Sequence, residues 1–303
     1  MTPRFNLAVV ILLLVLGAPF YWLYIDNRPG DAQPKPVTIG QLRTLADSQA
    51  GPAPRSISMQ RVASANRNSN WMAAGSGIRQ RYIAIMAYRL EVPGSAPILI
   101  NTGMTGAAAE AASLDQFYPR SQQTVDLALA NAGKIVATGG GAEQLSGLAA
   151  HASPDLLGKL AITDAQLQQA RTSKTFDWPS EPVVPSHSGG APWAVAPGVV
   201  AIPTGIPERG SQMVYVRLAD GSEYLFAGDV APLETSWRNL RGRSRLRSQF
   251  YVKEDRSEAF AWLLTVRKLH REAPDMHILP GRDYYYLTGE EAPHRIARQF
   301  PER

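Results

Sequence analysis

Hydrophobic residues are most concentrated at the start of the chain, where residues 7–25 read LAVVILLLVLGAPFYWLYI without a charge. At about 1.5 Å of rise per residue, a helix of this length just crosses a hydrocarbon core of about 30 Å. Tyr21, Trp22 and Tyr24 stand at its far end, and such amphipathic rings favour the membrane–water interface. The pattern predicts an N-terminal membrane anchor over residues 1–25.

Two interpretations of this helix stay open. A cleaved signal peptide usually ends in an Ala-x-Ala-like site, and residues 17–30 offer no good one, which favours a retained anchor. Arg4 precedes the helix and mixed charges follow it, so the short tail is expected in the cytoplasm. We therefore expect a single-pass protein of the cytoplasmic (inner) membrane whose domain faces the periplasm. The alternative is a secreted, periplasmic protein after signal cleavage.

The next segment, residues 26–56, is rich in proline, glycine and polar residues and is expected to be a linker. One short helical piece around residues 39–48 (IGQLRTLADS) would form a docking element within it. The folded domain is expected to span residues 57–303.

Beyond residue 80, short runs with a period of two alternate with segments of helical period. Strands are expected at residues 81–92, 96–103, 135–137, 159–163, 198–203, 212–218, 223–228 and 276–279. Helices are expected at residues 107–115, 122–132, 164–171 and 257–271, and a Pro/Gly/Ser-rich loop at 178–197. Two β-rich halves with helices outside them indicate an α/β sandwich.

Composition removes several classes of function. The chain has no cysteine, which excludes disulfides, thiolate metal sites and cysteine nucleophiles. Its net charge is +5, and positive charge is densest at Arg238, Arg241, Arg243, Arg245 and Arg247. No nucleic-acid recognition motif accompanies these arginines, so we expect no nucleic-acid partner. We interpret them as a solvated basic face that can lie toward anionic lipid headgroups.

Five short segments carry motifs that occur together in one fold family. They are residues 98–104 (ILINTGM, against a strand ending in Asp-x-Gly), 136–148 (VATGGGAEQLSGL, against Thr-His-x-His-x-Asp-His-x-x-Gly-Leu), 202–211 (IPTGIPERGS, against Gly-His-Thr-Pro-Gly-Ser), 224–230 (YLFAGDV, against a strand ending in Gly-Asp) and 278–283 (ILPGRD, against Pro-Gly-His-Asp). In this order the segments resemble the metallo-β-lactamase fold superfamily over about residues 81–286. The resemblance implies a four-layer αββα sandwich, preceded here by the transmembrane helix.

In that alignment the family's metal ligands fall mostly on residues that cannot bind a metal. The vestigial positions are Gly139, Gly141, Glu143, Gln144, Ile206, Asp229 and Arg282. Glycine and isoleucine carry no donor atom, and arginine brings a permanent positive charge to a place where the family holds a cation. Because a catalytic zinc needs about three N, O or S donors, the resemblance implies a degenerate member that has lost the zinc and uses no cofactor. We interpret the three glycines 139–141 as erased ligands on a loop whose shape is retained.

The vacated cleft is then the expected binding region. Its candidate ligand-binding residues are Thr138, Glu143, Gln144, Arg209, Asp229 and Arg282, and no catalytic residue is assigned. We expect Arg282 to occupy the vacated cation position and to pair with Asp229, because a buried charge pair is stable only when both partners are present. The arginines indicate an anionic ligand.

Other chemistries have weaker support. The glycines lack the Gly-Lys-Ser/Thr of a phosphate-binding loop, and the serines lack a Gly-x-Ser-x-Gly elbow. The chain has five histidines, and no two of them have His-x-His or i,i+4 spacing. They are His151, His187, His270, His277 and His294. Of these, His151 follows the erased motif most closely and is the one whose loop is expected to border the cleft.

The leading functional interpretation is an exported, membrane-tethered pseudoenzyme that binds a small molecule or an envelope protein in a metal-free cleft. One alternative is an active hydrolase of lactone, ester or amide substrates with a reduced or shifted metal site. The other is a structural component of an envelope complex. The metal content of the purified protein separates the first two.

Overall fold

The computed structural model describes residues 3–28, 30–289 and 296–301, and two β-sheets form its centre. The first sheet contains β1 (Ser56–Asn68), β2 (Gln80–Glu91), β3 (Ile98–Ile100), β4 (Gln116–Phe117), β5 (Lys134–Val136), β6 (Leu160–Ala161) and β12 (Ile296–Ala297). The second contains β7 (Trp193–Ala196), β8 (Val199–Pro203), β9 (Gln212–Arg217), β10 (Glu223–Gly228) and β11 (His277–Pro280). The first has the order β12-β1-β2-β3-β5-β6, with β4 also paired to β1, and the second has the order β11-β10-β9-β8-β7.

Helices cover both outer faces of this pair of sheets. The helices of the described residues are α1 (Pro3–Phe20), which stands apart from the sheets with no buried residue, and α2 (Ile39–Ala46), α3 (Ser69–Met72), α4 (Gly106–Ala111), α5 (Pro119–Ala130), α6 (Ala142–Ala150), α7 (Pro154–Gly158), α8 (Asp164–Arg171), α9 (Glu234–Arg238), α10 (Arg256–Glu272) and α11 (Tyr284–Thr288). Two π-helical turns lie at Tyr21–Ile25 and Arg247–Val252. The expected helix at residues 257–271 is α10, whose first turn is capped by the Asp255 carboxylate.

Three apolar layers hold the sheets and helices together. On β10, Tyr224 and Phe226 face the first sheet, whereas Leu225 and Ala227 face the outer helices, as the period of two in a strand requires. Between β10 and α10, Leu225 meets a buried layer that includes Phe260. A third layer joins the outer face of the first sheet to α4, α5, α6 and α8. The predicted four-layer αββα sandwich is therefore confirmed.

The longest strand, β1, was not expected from the sequence. Its 13 residues pair antiparallel with β2 along almost their whole length. Small polar side chains such as Ser58 and Ser64 are buried in it, because both of its faces are covered. A strand covered on both faces need not alternate between apolar and polar residues, so the pattern gave no clear signal. The expected loop at residues 178–197 also contains a strand, β7.

The N-terminal region has two parts. Residues Pro3–Ile25 form one helix that is long and apolar enough to cross a membrane, with a mean hydropathy of 2.3 in its 18-residue window. The docking element expected within residues 26–56 is α2, whose Ile39, Leu42 and Ala46 are buried against the second sheet and α10. Within residues 26–56, α2 therefore belongs to the packed outer layer of the domain.

Candidate ligand-binding cleft

The cleft lies where two parallel strands of the second sheet end side by side. Since β10 and β11 run in the same direction, Asp229 and Arg282, which follow them, emerge at the same edge. A Cβ at Gly281 would lie 2.4 Å from the carbonyl oxygen of Gly228, so only glycine permits this close approach of the two backbones. The sequence thus brings a carboxylate and a guanidinium together through backbone geometry.

The Arg282 guanidinium binds two carboxylates at the floor of the cleft. Its Nε and one terminal nitrogen lie 2.7 Å and 2.8 Å from the two oxygens of Asp229. The same terminal nitrogen lies 2.5 Å from an oxygen of Glu143, at the start of α6. The predicted Arg282–Asp229 pair is therefore confirmed, in the forked geometry that arginine forms with a carboxylate.

This cluster is largely shielded from water. The side chains of Arg282, Asp229 and Glu143 keep 16%, 21% and 23% of their surface exposed. Burial opposes ionisation of Asp229, but the charge of Arg282 and its hydrogen bonds lower the pKa of that carboxyl below its usual value. Burial disfavours the charged form of Arg282, but the carboxylates of Asp229 and Glu143 outweigh this effect and raise its pKa further above the usual range. A fixed ion triad, two anions and one cation, therefore forms the cleft floor.

The three glycines between β5 and α6 differ in what their surroundings permit. At Gly139 an added Cβ would meet Gln144 at an ordinary 3.5 Å, and at Gly141 its nearest neighbour would be the flexible end of Gln144 at 3.1 Å. At Gly140 it would collide with the carbonyl oxygen of Gln166 at 2.4 Å. The interpretation of all three as erased ligands is therefore wrong for Gly140, which packs against α8. Gly139 and Gly141 do have room for side chains.

A second polar contact fixes the entry to this glycine loop. Asn101 follows β3 at the position of the aspartate in the family's Asp-x-Gly, and its backbone has a φ of 62°. Its side-chain oxygen accepts hydrogen bonds from the backbone N–H and the hydroxyl of Thr138, at 2.8 Å and 3.1 Å. Asn101 thus holds the end of β5 against the end of β3 and sets the direction of the loop.

Above the triad the cleft opens into two outer chambers, of about 220 Å³ and 470 Å³. The smaller is lined by Trp71, Arg243 and Arg247, and the guanidinium of Arg247 lies 5.1 Å from the centre of the Trp71 ring. Arg243 donates to the backbone carbonyl of Asp229 at 2.7 Å. Beneath the triad, between the sheets, a third cavity holds only about 30 Å³.

Glu208 stands at the rim of the larger chamber. Partial removal from water raises the pKa of its carboxyl, and the nearby carboxylates of Asp229 and Glu143 add to this effect, although more than a third of the residue stays exposed. Its side chain contacts the amide of Gln169 on α8. The rim therefore carries a carboxyl group, that of Glu208, which the sequence analysis did not assign to the cleft.

Most of the predicted cleft residues come together in this region. Those that line it are Thr138, Gly139, Gly141, Glu143, Gln144, Asp229 and Arg282. Two predicted positions do not. Ile206 is buried in the apolar layer behind the second sheet, and Arg209 points into solvent outside these cavities. The expectation that Arg209 lines the cleft is therefore wrong, whereas Ile206 was predicted only as a vestigial ligand position. The loop after β8 turns the apolar side chain of Ile206 inward and presents Glu208 to the cleft.

Sequence reasoning also missed several lining residues. Arg243 and Arg247 were assigned to a solvated basic face, but they reach the smaller chamber, and their dense arginine run was the available signal. Asn101 had a signal in its alignment with the family's aspartate. Trp71 had none, because α3 and the turn after β1 were not predicted.

The donor set does not fit a catalytic zinc. Among the described residues, no group of three His, Cys, Asp or Glu is placed to hold a metal ion. Two carboxylates of the triad are already bound by a guanidinium that cannot lose its charge. His151, His187, His270 and His277 do not line the cleft, and His294 lies outside the described residues. His151 instead lies 3.4 Å from Asp126, which corrects its expected position beside the cleft.

Comparison with solved structures identifies the architecture. A quorum-quenching N-acyl homoserine lactone lactonase matches with a TM-score of 0.61 and 14% identity, over 84% of this chain and 99% of that chain. An N-acyl homoserine lactone hydrolase with N-hexanoyl-L-homoserine bound at its catalytic metal center matches with a TM-score of 0.61 and 14% identity, over 82% of this chain and 99% of that chain. A probable metal-dependent hydrolase from Staphylococcus aureus matches with a TM-score of 0.57 and 11% identity, over 84% of this chain and 100% of that chain.

No protein-family model matches the sequence, and no curated protein sequence is significantly similar to it. TM-scores of 0.57–0.61 establish a common fold, and identities of only 11–14% leave activity to be argued from the site itself. The chain therefore has the metallo-β-lactamase fold, the fold of a superfamily of metal-dependent hydrolases.

Proposed function

We propose that the protein is a membrane-tethered pseudoenzyme that binds a ligand in a metal-free cleft and does not hydrolyse it. The observation that carries this proposal is the Arg282 guanidinium, bound between Asp229 and Glu143 at the floor of the cleft. By the resemblance of residues 278–283 to Pro-Gly-His-Asp, Arg282 stands at the position of a metal-binding histidine, and we propose that its charge takes the place of the metal. Removing it would leave two carboxylates facing each other.

The chemistry of the triad supports binding over hydrolysis. A guanidinium stays protonated at every physiological pH, so it cannot exchange protons with a water molecule or a leaving group. The Asp229 carboxyl has a lowered pKa, which makes it a poor general base near neutral pH. A group fixed in this way can hold or orient a ligand by its charge.

The outer chambers supply the binding surface of the proposal. Arg243, Arg247 and Trp71 present guanidinium and aromatic groups in one chamber of about 220 Å³. Such groups bind carboxylates or phosphates together with a flat or apolar portion of a ligand. We therefore propose an anionic small molecule with an apolar part as the ligand class.

The N-terminal helix supports tethering to the inner membrane with the domain in the periplasm. Its length and composition suffice for a single span, and Arg4 before it favours a cytoplasmic tail. Cleavage and release into the periplasm is the alternative. Resistance of the full-length protein to alkaline extraction from membranes, and its digestion by protease only after the outer membrane is opened, would test both parts.

The metal content of the purified protein is the decisive test of the pseudoenzyme proposal. The full-length protein is produced with added zinc or manganese, and its metal is measured by mass spectrometry before and after chelation. We expect substoichiometric metal and no hydrolysis of N-hexanoyl homoserine lactone. Stoichiometric metal together with lactone hydrolysis that chelation abolishes would overturn the proposal.

The fold itself favours one rival, an active hydrolase of lactones, esters or amides with a reduced or shifted metal site. The three solved structures described above are a lactonase, a lactone hydrolase and a probable metal-dependent hydrolase. Glu143, Glu208 and Asp229 are the carboxylates that such a site would use. The metal measurement separates this rival from the proposal, and crosslinking in intact membranes would separate both from a structural component of an envelope complex.

A further inference from the structure

The chain that leaves the membrane helix is fixed to the domain by several hydrogen bonds. The carbonyl oxygen of Tyr24 accepts from the backbone N–H of Gly75 at 3.1 Å. The Asn27 side chain donates to the carbonyl of Leu240 at 2.6 Å and accepts from the N–H of Gly242 at 2.9 Å. These contacts hold the end of the span directly against the domain.

An ion pair and a ring contact strengthen this junction. The Asp26 carboxylate lies 2.8 Å from Arg245, and the Arg245 guanidinium lies 4.6 Å from the centre of the Trp22 ring. Burial leaves the Asp26 side chain only 7% exposed. Because Trp22 belongs to the aromatic end of the helix, the proposed tether would place Arg245 at the level of the membrane–water interface.

The two segments that hold the helix end also bind each other. Residues 69–75 and 240–252 are joined by a hydrogen bond from the N–H of Ala74 to the carbonyl of Gly242 at 2.7 Å, and by one from Arg241 to the carbonyl of Ala74 at 2.9 Å. Farther along, the rings of Trp71 and Tyr251 stack at 5.9 Å. The surface next to the helix end therefore continues along the π-helical turn Arg247–Val252.

This surface exposes large hydrophobic side chains. Beyond Ile25, the exposed large hydrophobics of the described residues are Ile78, Leu127, Val184, Phe250, Tyr251 and Tyr285. Three of them, Ile78, Phe250 and Tyr251, lie on or next to the two segments that hold the helix end, with 69%, 62% and 61% exposed. Aromatic and aliphatic side chains at this level suit the headgroup–acyl boundary.

The charge of the same surface is positive. Residues 235–253 contain five arginines and one lysine and no acidic residue. Some of these arginines pair with acids elsewhere, as Arg243 does with Glu254, whereas Arg247 and Lys253 flank the exposed rings. We define the junction face as Ile78, Arg247, Phe250, Tyr251 and Lys253.

We infer that the junction face rests on the bilayer surface and binds anionic lipid headgroups, with Phe250 and Tyr251 entering the interface. This inference rests on the proposed membrane tether, since the helix end determines which side of the domain is near the bilayer. Basic residues next to a span attract anionic lipids, and the aromatic side chains add apolar burial. Arg247 also lines the smaller chamber of the cleft, so the chamber opens beside the headgroups.

The absence of cysteine in the chain allows a direct test with single labels. Full-length protein carrying Phe250→Cys, Ile78→Cys or, as the matched exposed control, Val184→Cys is labelled with a fluorophore and placed in vesicles of phosphatidylglycerol and phosphatidylcholine. Lipids with a nitroxide near the headgroup quench a label that touches the interface. We expect several-fold stronger quenching at positions 250 and 78 than at 184.

A label within the span separates this inference from the tether itself. Leu13 lies in the middle of the span, so its label is tested with lipids that carry the nitroxide deep in the acyl chain. If these lipids quench Leu13→Cys but the headgroup nitroxide quenches Phe250→Cys no more than Val184→Cys, the junction face is refuted and the tether stands. Without quenching at Leu13→Cys, the tether and the inference that depends on it both fail. In phosphatidylcholine alone, quenching at 250 should fall, because Arg247 and Lys253 lose their anionic partners. Equal quenching in both lipid mixtures would overturn the assignment to anionic lipid.

Discussion

At the scale of single residues, Arg282 makes contacts that determine the character of the cleft. It binds both oxygens of Asp229 and one of Glu143 while keeping only 16% of its side chain exposed. Three charges in one shielded place are stable as a set, because each partner offsets the cost of removing the others from water. We therefore propose that the guanidinium replaces the metal as the group that holds the strand ends together.

Substitution of Arg282 tests this structural role. The variant Arg282→Ala should lower the free energy of unfolding by about 2–3 kcal/mol, somewhat below the loss for a fully buried pair, because two carboxylates would lose their cation. The melting temperature should then fall by roughly 3–6 °C. The matched control Arg209→Ala removes an exposed arginine outside the cleft and should change little. An unchanged melting temperature in Arg282→Ala would refute the role.

The glycine loop offers a second test at this scale. In Gly140→Ala the new methyl group would lie 2.4 Å from a backbone oxygen of α8, so we expect a loss of about 1–3 kcal/mol in unfolding free energy. In Gly139→Ala the methyl group meets only an ordinary contact, and stability should stay within about 0.5 kcal/mol. Chemical denaturation of both variants measures the difference. Equal losses would contradict the division of the loop into one packing glycine and two vacant positions.

At the scale of elements, α2 connects the N-terminal segment to the second sheet. Leu42 is fully buried there, and Arg43 lies 2.6 Å from Glu223 at the start of β10. A Pro/Gly-rich sequence around α2 would by itself suggest a flexible spacer. Burial of one face of α2 makes it part of the outer helical layer.

Truncation of Leu42 tests whether α2 contributes to the domain. The variant Leu42→Ala should cost about 2–5 kcal/mol, because it removes buried methyl groups and leaves a cavity. Gln41→Ala, on the exposed side of the same helix, is the control and should be nearly neutral. If thermal melting of the full-length protein did not distinguish the two variants, α2 would have to be a free element of the linker.

At the scale of the whole molecule, shielded carboxylates link parts of the chain that are far apart in sequence. The pKa of Asp26 is lowered chiefly by a hydrogen bond from Arg28, against the effect of burial. At Glu223 burial opposes ionisation, but hydrogen bonds from Arg43 and Tyr215 together outweigh it and lower the pKa. These two residues join the N-terminal segment to the domain at separate places.

Their lowered pKa values, together with that of Asp229, predict acid sensitivity. A carboxyl whose pKa is lower in the folded than in the unfolded state contributes its full stability above the unfolded value, near pH 4. That contribution disappears as the pH falls through the folded value. We expect the melting temperature to be level above about pH 5 and to decline below pH 4, with a shallower decline in Glu223→Gln. An identical decline in that variant would contradict a contribution from Glu223.

The sequence by itself determined the fold class, the apolar N-terminal helix and the absence of histidine from residues 136–148 and 278–283. These features reside in local patterns and in motifs that follow one another in order, such as Gly228-Asp229 after β10 and Gly281-Arg282 after β11. The pairing of Arg282 with Asp229 was predictable for the same reason, because two parallel neighbouring strands end at one edge.

Only the tertiary structure decided which residues complete the cleft and which side of the domain meets the helix end. Trp71 and Arg247 reach the smaller chamber through contacts between segments more than 150 residues apart, and no local pattern records such contacts. The same holds for β1, whose buried polar residues hide its period, and for Gly140, whose need for glycine comes from α8. Local sequence determines the direction of the backbone. Which side chain fills a cavity between elements depends on all the elements that pack around that cavity.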